Sequence, residues 1–150
     1  MSDEISNRLN TGQKNPAQSY RDLLVWQKAM TLAKVIYKIT AEFPSEEKFG
    51  LISQMRRAAV SVPSNIAEGQ ARNTTGEFVQ FISHAEGSLA ELDTQLTLAV
   101  ELNFLSSEIA KPCADSIAEL RQMSNGLRRA ITGQKKPAHH SPHITNHYEE

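Results

Sequence analysis

The polar residues of this sequence that could carry chemistry fall into two stripes. Members of each stripe recur at intervals of three and four residues, so each stripe would lie along one edge of a helix. Two such stripes beside apolar seams predict a hydrogen-bonded network that sets helix register, or a subunit interface. The first stripe is Arg57, Ser61, Asn65, Glu68 and Arg72, and the second is His84, Ser88, Glu91 and Gln95. The residues predicted to form the network or interface are Ser61, Asn65, Glu68, Ser88 and Glu91.

A catalytic site is the alternative use of the same residues. Glu68 and Glu91 are the carboxylates placed to approach each other near the seam, with His84 close by, and paired carboxylates can act as acid and base. However, alanine and threonine follow them at the spacing where a di-iron bundle has histidines. The sequence also has no Walker loop, dinucleotide fingerprint, nucleophile elbow or zinc spacing. We therefore predict no enzymatic activity, no metal and no cofactor.

Positive charge occurs only in short local clusters. Guanidinium groups bind phosphates, so five arginines are candidate contacts to structured RNA or DNA. The alternative is that paired arginines near helix ends are solvated charges that favour the helix dipole. The candidates are Arg56, Arg57, Arg72, Arg128 and Arg129, and Lys135 with Lys136 form one further basic pair.

A proline interrupts the segment that carries the first stripe. Inside a helix, Pro63 removes one amide donor and clashes with the carbonyl of Ala59, at a cost of about 3 kcal/mol. One interpretation is a kink, with Ser64 or a water bonding the freed carbonyl. The other interpretation is that the proline repositions Asn65 and Glu68 for a task, and the two are compatible.

Composition limits the class of protein. The chain has 150 residues, 39% hydrophobic and 22% charged, which suits one domain with one core. The net charge is −1, so no global positive field attracts phosphates. The single cysteine, Cys113, excludes an internal disulfide and suits a reducing compartment. The acidic start is no signal peptide and no run of about 18 apolar residues could span a membrane, so we expect a cytoplasmic protein.

Four periodic segments must position these residues. Their predicted bounds run from the N-cap Ser19 to Pro44, from Ile52 to about Arg72, from the turn at 73–76 to 102–103, and from the N-cap Ser106 to Gly133. The apolar positions that carry the pattern are Leu23, Trp26, Ala29, Ala33, Ile36, Ile39 and Phe43 in the first segment, Ile52, Met55, Ala59, Val62 and Ile66 in the second, Phe78, Ile82, Ala85, Leu89, Leu92, Leu96 and Ala99 in the third, and Ile109, Cys113, Ile117, Leu120, Met123 or Ser124, Leu127 and Ile131 in the fourth.

No segment alternates with period two, and the short connections force sequential antiparallel neighbours. The predicted fold is all-α, an up-down-up-down four-helix bundle over residues 19–133. Residues 1–18 and 134–150 are polar and aperiodic, so we expect disordered tails. The second tail could bind a transition metal adventitiously without fixed geometry. Its histidines are His139, His140, His143 and His147.

Three runs of the sequence together resemble a known family. SYRDLLVWQKAM, RRAAVSVPSNIAEG and GEFVQFISHAEGSLAELDTQLTLAVEL are similar to the four-helix-bundle family first known from proteins encoded in intervening sequences of bacterial large-subunit rRNA genes. The resemblance covers about residues 19–132. The matching positions include Arg56, Arg57, Ser61, Asn65, Glu68, Gly69, Ser88 and Glu91.

The resemblance implies a left-handed bundle that assembles into a homopentameric ring, without an established enzymatic activity. Related accessory proteins of diversity-generating retroelements bind nucleic acid and a reverse transcriptase through a basic surface, and the near-zero net charge of this chain departs from that pattern. We expect a non-enzymatic, self-assembling scaffold or adaptor that presents the five arginines to RNA, DNA or a protein partner. The alternative is a purely protein-binding module without a nucleic-acid role.

Overall fold

The computed structural model describes residues 19–133, which form four α-helices and two short 3₁₀ turns and include no strand. The helices are α1 (Leu24–Thr40), α2 (Leu51–Gln70), α3 (Thr75–Glu101) and α4 (Ser107–Thr132), and the turns are Tyr20–Asp22 and Ser45–Glu47. The predicted all-α fold is confirmed. Both predicted tails, with their histidines and the pair Lys135 and Lys136, lie outside the described residues. None of the described helices is long and apolar enough to cross a membrane.

The four helices form a closed ring in chain order. Each helix packs against the next, and α1 packs against α4. The neighbours α2 and α3 are antiparallel, because Ser61 bonds Ser88 whereas Gly69, later in α2, lies against Phe81, earlier in α3. Helices α1 and α3 occupy diagonal corners, and no Cα atom of one lies within 8 Å of a Cα atom of the other.

The core follows the predicted stripes most closely in α3. Its side chains at 82, 85, 89, 92, 96 and 99 are all buried. The prediction for Ile109 is wrong, since this side chain is 53% exposed and its neighbour Ala110 is fully buried. The buried stripe of α4 begins with Ala110 and Cys113, so Ile109 lies on the side of the helix that faces solvent. In α1, the core also includes Val25 and Leu32, which the predicted stripe omitted.

Helix ends use caps that the sequence contains. The Thr74 hydroxyl accepts from the backbone N–H of Glu77 at 3.2 Å and caps α3. The Ser106 hydroxyl accepts from the N–H of Ile109 at 3.3 Å and caps α4, as predicted. Gly133 ends α4 with a φ of 69°, in the left-handed region that glycine adopts without a steric cost.

The predicted start of the first helix is wrong. Ser19 caps the 3₁₀ turn, where its side chain accepts from the N–H of Arg21 at 3.2 Å. Leu23 then adopts extended geometry, so α1 begins only at Leu24. A smaller correction applies to α3, which begins at Thr75, inside the segment predicted to be a turn.

Helix α2 continues through Pro63 from Leu51 to Gln70. The hydroxyl of Ser64 donates to the carbonyl of Val60 at 2.8 Å. Of the two partners expected for the carbonyl of Ala59, Ser64 or a water, the structure rules out Ser64, because its hydroxyl bonds the carbonyl one residue further along. The ring of Pro63 is itself buried, and it packs toward α1.

Gly69 lies where α2 closely approaches α3. A Cβ atom built at this position would lie 2.7 Å from Cβ of Phe81 and 2.8 Å from the ring of Phe78. These distances are shorter than carbon atoms tolerate, so the two helices are closer here than an alanine would permit. Gly69 is among the positions that match the family resemblance, and this close contact is a physical reason for a glycine there.

Candidate functional site

The two polar stripes meet at one point between α2 and α3. The hydroxyls of Ser61 and Ser88 are 2.8 Å apart, and the amide of Asn65 donates to the hydroxyl and the carbonyl of Ser61 at 2.9 and 2.8 Å. Ser88 also donates to the carbonyl of His84 at 3.2 Å. All three side chains of this polar cluster, Ser61, Asn65 and Ser88, are half-buried. The cluster links two helices of one protomer and resists sliding of one past the other.

Glu91 takes part in a separate contact within α3. Its carboxylate accepts from the side-chain amide of Gln95 at 3.3 Å. Gln95 is only 6% exposed, and its amide oxygen has no hydrogen-bond partner. Glu91 itself is exposed, so it restrains Gln95 from the surface and does not reach the polar cluster across the helices.

Glu68 and Glu91 do not form a carboxylate pair. The Ser61 to Ser88 bond fixes the register of α2 and α3, and the two glutamates lie in opposite axial directions from it. A rise of 1.5 Å per residue separates them by about 15 Å along the bundle. His84 is exposed against the edge of Phe81. Among residues 19–133 no three His, Cys, Asp or Glu side chains are grouped to hold a metal.

Arg56 is bound to the end of α1. Its guanidinium donates to the hydroxyl of Thr40 at 3.0 Å and to the carbonyl of Tyr37 at 3.2 Å, and it lies 4.6 Å from the centre of the Tyr37 ring. The last carbonyls of a helix lack intrahelical donors and carry partial negative charge. Arg56 therefore acts as a cap for α1, supplied by the neighbouring helix.

Arg128 is bound to α3. It forms an ion pair with Glu86 at 2.7 Å and donates to the hydroxyl of Ser83 at 3.0 Å and to Asn125 at 3.2 Å. Both members of the ion pair are about three-quarters buried. This geometry fastens α4 to α3 and leaves Arg128 little capacity to bind a phosphate.

Three of the five candidate arginines have side chains with neither an ion pair nor a hydrogen bond among the described residues: Arg57, Arg72 and Arg129. Arg72 lies over the ring of Phe81 at 4.7 Å. Arg57 is near the start of α2, whereas Arg72 follows its end, which places them about 22 Å apart along the bundle axis. The structure therefore brings the five arginines to opposite ends of the bundle and not to one basic surface.

A groove between α1 and α2 was not predicted from the sequence. Its volume is about 580 Å³, and its walls are apolar and aromatic, with one charged residue. The sequence contained a signal for it, because Trp26, Met30, Ala33 and Tyr37 are spaced along one edge of a helix. Two of these residues, Trp26 and Ala33, were predicted to belong to the core. The α1–α2 groove is lined by Tyr20, Trp26, Met30, Ala33, Lys34, Tyr37, Val60, Pro63, Ser64 and Ala67.

A smaller cleft of about 210 Å³ lies between α1 and α4. An ion pair between Lys28 and Glu119 lies at its edge, and Cys113 is buried at its floor. Burial raises the pKa of the Cys113 thiol, because an apolar site disfavours the thiolate. The cysteine is therefore a small core side chain, as its place in the apolar pattern predicts.

Comparison with known proteins supports the fold. A model of the 23S rRNA-intervening sequence protein family matches residues 21–126. The structure is similar to the crystal structure of a protein with unknown function from the S23 ribosomal protein family of Bacteroides thetaiotaomicron VPI-5482, with a TM-score of 0.64 and 18% sequence identity. That likeness covers 71% of this chain and 99% of the other chain. No curated protein matches the sequence.

Proposed function

The chain belongs to the 23S rRNA-intervening sequence protein family, and we propose that it is a non-enzymatic scaffold that assembles from identical four-helix bundles in the cytoplasm. A homopentamer is the expected assembly. The observation that carries this proposal is the amount of apolar surface that one folded bundle leaves in water. Large apolar patches on a soluble protein mark sites of association.

Four of the eight large apolar residues that are exposed in residues 19–133 lie in two pairs. Tyr37 and Val60 lie on opposite walls of the α1–α2 groove, and Leu98 and Leu102 lie one turn apart on α3. Their side chains are between 42% and 47% exposed. Phe49, before α2, is 90% exposed. Association of copies would remove this surface from water, which is favourable by about 25 cal/mol per Å² of apolar area.

The positions of the polar residues also support a structural role. The carboxylates that could have formed a catalytic pair are far apart, and the polar cluster of Ser61, Asn65 and Ser88 bonds within the protomer. Arg56 and Arg128 hold helices together. These residues specify one rigid bundle, which is the property that a repeated scaffold unit needs.

The native mass of the full chain tests the scaffold proposal. We expect native mass spectrometry and light scattering to give a single species near five times the 16.7 kDa of the protomer. A protomer mass over a hundredfold range of protein concentration would contradict assembly. A discrete mass other than the pentamer would keep assembly and overturn the ring size.

Nucleic-acid binding is a second candidate function, favoured by the three arginines whose side chains have no ion pair or hydrogen bond among the described residues. They can approach phosphates without breaking an ion pair or a hydrogen bond of the bundle. One protomer holds these three arginines at opposite ends of the bundle. Several arginines could therefore contact one nucleic acid together only if an assembly repeats the protomer.

Anisotropy of a labelled structured RNA and a matched DNA duplex, titrated with the full chain at two salt concentrations, tests this candidate. Phosphate contacts predict affinity that falls steeply with salt, and replacement of Arg57, Arg72 and Arg129 by glutamine should reduce that slope. Lys111→Gln, an exposed cation on α4, is the matched control. An intact oligomer that binds neither probe would leave a purely protein-binding scaffold.

A further inference from the structure

We propose that the α1–α2 groove of each copy receives the exposed α3 face of another copy, so that the interface of the assembly is head-to-tail. The α3 face consists of Glu91, Leu98, Glu101 and Leu102. This inference rests on the proposed self-assembly and adds which surfaces meet. It follows from the shape, apolarity and charge of two separate surfaces of the same bundle.

The groove is apolar at its floor and positive at its edges. Lys34 is the one charged residue that lines it. Arg21 lies over the rings of Tyr20 and Trp26 at one end, and Arg56 lies over Tyr37 at the other. No carboxylate is part of its lining. An apolar segment flanked by negative charge is the chemistry that such a groove recognises.

The α3 face has that chemistry. Leu98 and Leu102 are separated by four residues, the spacing with which helices insert anchors into grooves. Both leucines are nearly half exposed. Glu91 and Glu101 are exposed on the same side of the helix. The face extends about 16 Å along the helix axis, and the groove, from Trp26 to Tyr37, has a similar length.

Helices α1 and α3 carry opposite charges, as the groove and the α3 face do. Helix α1 contains three lysines and no acidic residue, whereas α3 contains five acidic residues and no lysine or arginine. Because α1 and α3 are at diagonal corners, these charges cannot pair at a shared helix interface inside one bundle. Lys28 and Glu86 are already paired with α4 in their own protomer, whereas Lys34 and Glu101 can meet when α3 of one copy lies on α1 and α2 of the next. Opposite charges would then steer the encounter and fix its orientation.

A contact between two different surfaces is heterologous. Every copy therefore binds one neighbour through its groove and another neighbour through its α3 face. Repetition closes into a ring if the rotation between copies allows, and otherwise forms a filament. The arrangement gives a specific requirement. A copy with a damaged groove and a copy with a damaged face should together form one intact contact and no more.

The test combines Val60→Glu, which damages the groove, with Leu98→Glu, which damages the face. Both side chains are more than 40% exposed, so the bundle should fold with either change. We expect each variant alone to have the protomer mass, and an equimolar mixture to give a dimer and no larger species. Ile109→Glu, an exposed apolar position outside both surfaces, should keep the wild-type mass.

Trp26 provides an independent readout, because it is the single tryptophan and lines the groove. Leu98→Glu leaves the groove of its own protomer unchanged, yet it should raise acrylamide quenching of Trp26 at least twofold, to the level of a dissociated protomer. Lys34→Glu and Glu101→Lys should each weaken assembly, and the double variant should restore it. These charge variants test the contact if Val60→Glu fails to fold.

The outcomes separate the interface from the assembly. Wild-type protein that is monomeric would overturn both the scaffold and this interface. Wild-type protein that is oligomeric, with Val60→Glu and Leu98→Glu variants of the same mass, would leave the scaffold intact and overturn the contact proposed here. A mixture of the two variants that does not combine, or Trp26 quenching unchanged by Leu98→Glu, would also overturn it.

Discussion

Two adjacent arginines show how strongly the role of a residue depends on its neighbours. Arg56 and Arg57 are the same residue type in the same helical segment, and the sequence treats them as one basic pair. In the structure, Arg56 bonds Thr40 and Tyr37 at the end of α1, whereas Arg57 is exposed without an ion-pair partner among the described residues. A cap and a free surface charge therefore stand next to each other.

We expect Arg56→Met to lower the free energy of unfolding by about 1–2 kcal/mol, because it removes charged donors from the last turn of α1 and keeps an apolar stem. Arg57→Met is the matched control and should change it by less than about 0.5 kcal/mol. Urea denaturation followed by helical circular dichroism measures both. Equal losses for the two variants would show that Arg56 does not cap α1.

At the scale of elements, α2 and α3 form the tightest pair of the bundle, and a glycine makes that contact possible. Gly69 faces the Cβ atom of Phe81 at a distance that leaves no room for a methyl group. Gly87, in the middle of α3, has open space around its Cα atom. The same substitution at the two positions should have opposite effects.

Gly69→Ala should destabilise the protein by about 1–3 kcal/mol, since α2 must move away from the phenylalanines. Gly87→Ala should stabilise it by about 1 kcal/mol, because alanine has the higher helix propensity and meets no neighbour. Thermal and urea unfolding of the two variants beside wild type measure the difference. A stabilising Gly69→Ala would mean that the helices are further apart than described.

The serine pair between the same helices offers a test of their register. Ser61→Ala and Ser88→Ala each remove one member of the 2.8 Å contact, so the double-mutant cycle should show a coupling energy of about 0.5–1.5 kcal/mol. Ser64→Ala, whose hydroxyl bonds within α2, should show no coupling with Ser88→Ala. Additive effects of the first pair would indicate that the contact contributes nothing.

For the whole molecule, one core joins all four helices. Ile36 of α1, Met55 of α2, Leu92 of α3 and Ile117 of α4 belong to a single buried cluster. A bundle with one core should unfold in one cooperative transition. We expect the Trp26 fluorescence and the circular dichroism at 222 nm to give the same midpoint, and that midpoint to rise with protein concentration if copies associate.

Midpoints that differ between the two signals would contradict this prediction. Trp26 fluorescence reports on α1, which forms one wall of the α1–α4 cleft. A fluorescence transition that precedes the circular dichroism transition would show that α1 detaches before the other helices. A cooperative midpoint that is independent of concentration would agree with one core and oppose association of copies.

The sequence alone determined the number of α-helices, their order and the family, but neither of the two 3₁₀ turns. Helical periodicity is a local property, so the stripe from Ile82 to Ala99 and the helix ends at Ser106 and Gly133 could be predicted without the fold. The match over residues 21–126 agrees with the resemblance found in the same runs. The edge of the stripe in α4 was predicted wrongly at Ile109, because a shift of one position decides whether a side chain faces the core or the solvent.

Only the tertiary structure decided which polar residues are partners. Across helix interfaces, Arg56 bonds Thr40, Arg128 pairs with Glu86 and Ser61 bonds Ser88. These pairings depend on the axial register and the rotation of each helix relative to its neighbour, which a sequence does not state. The same is true of the α1–α2 groove, because a groove needs two helices side by side. Spacing along one chain predicts which face a residue occupies, and packing between helices decides what that face meets.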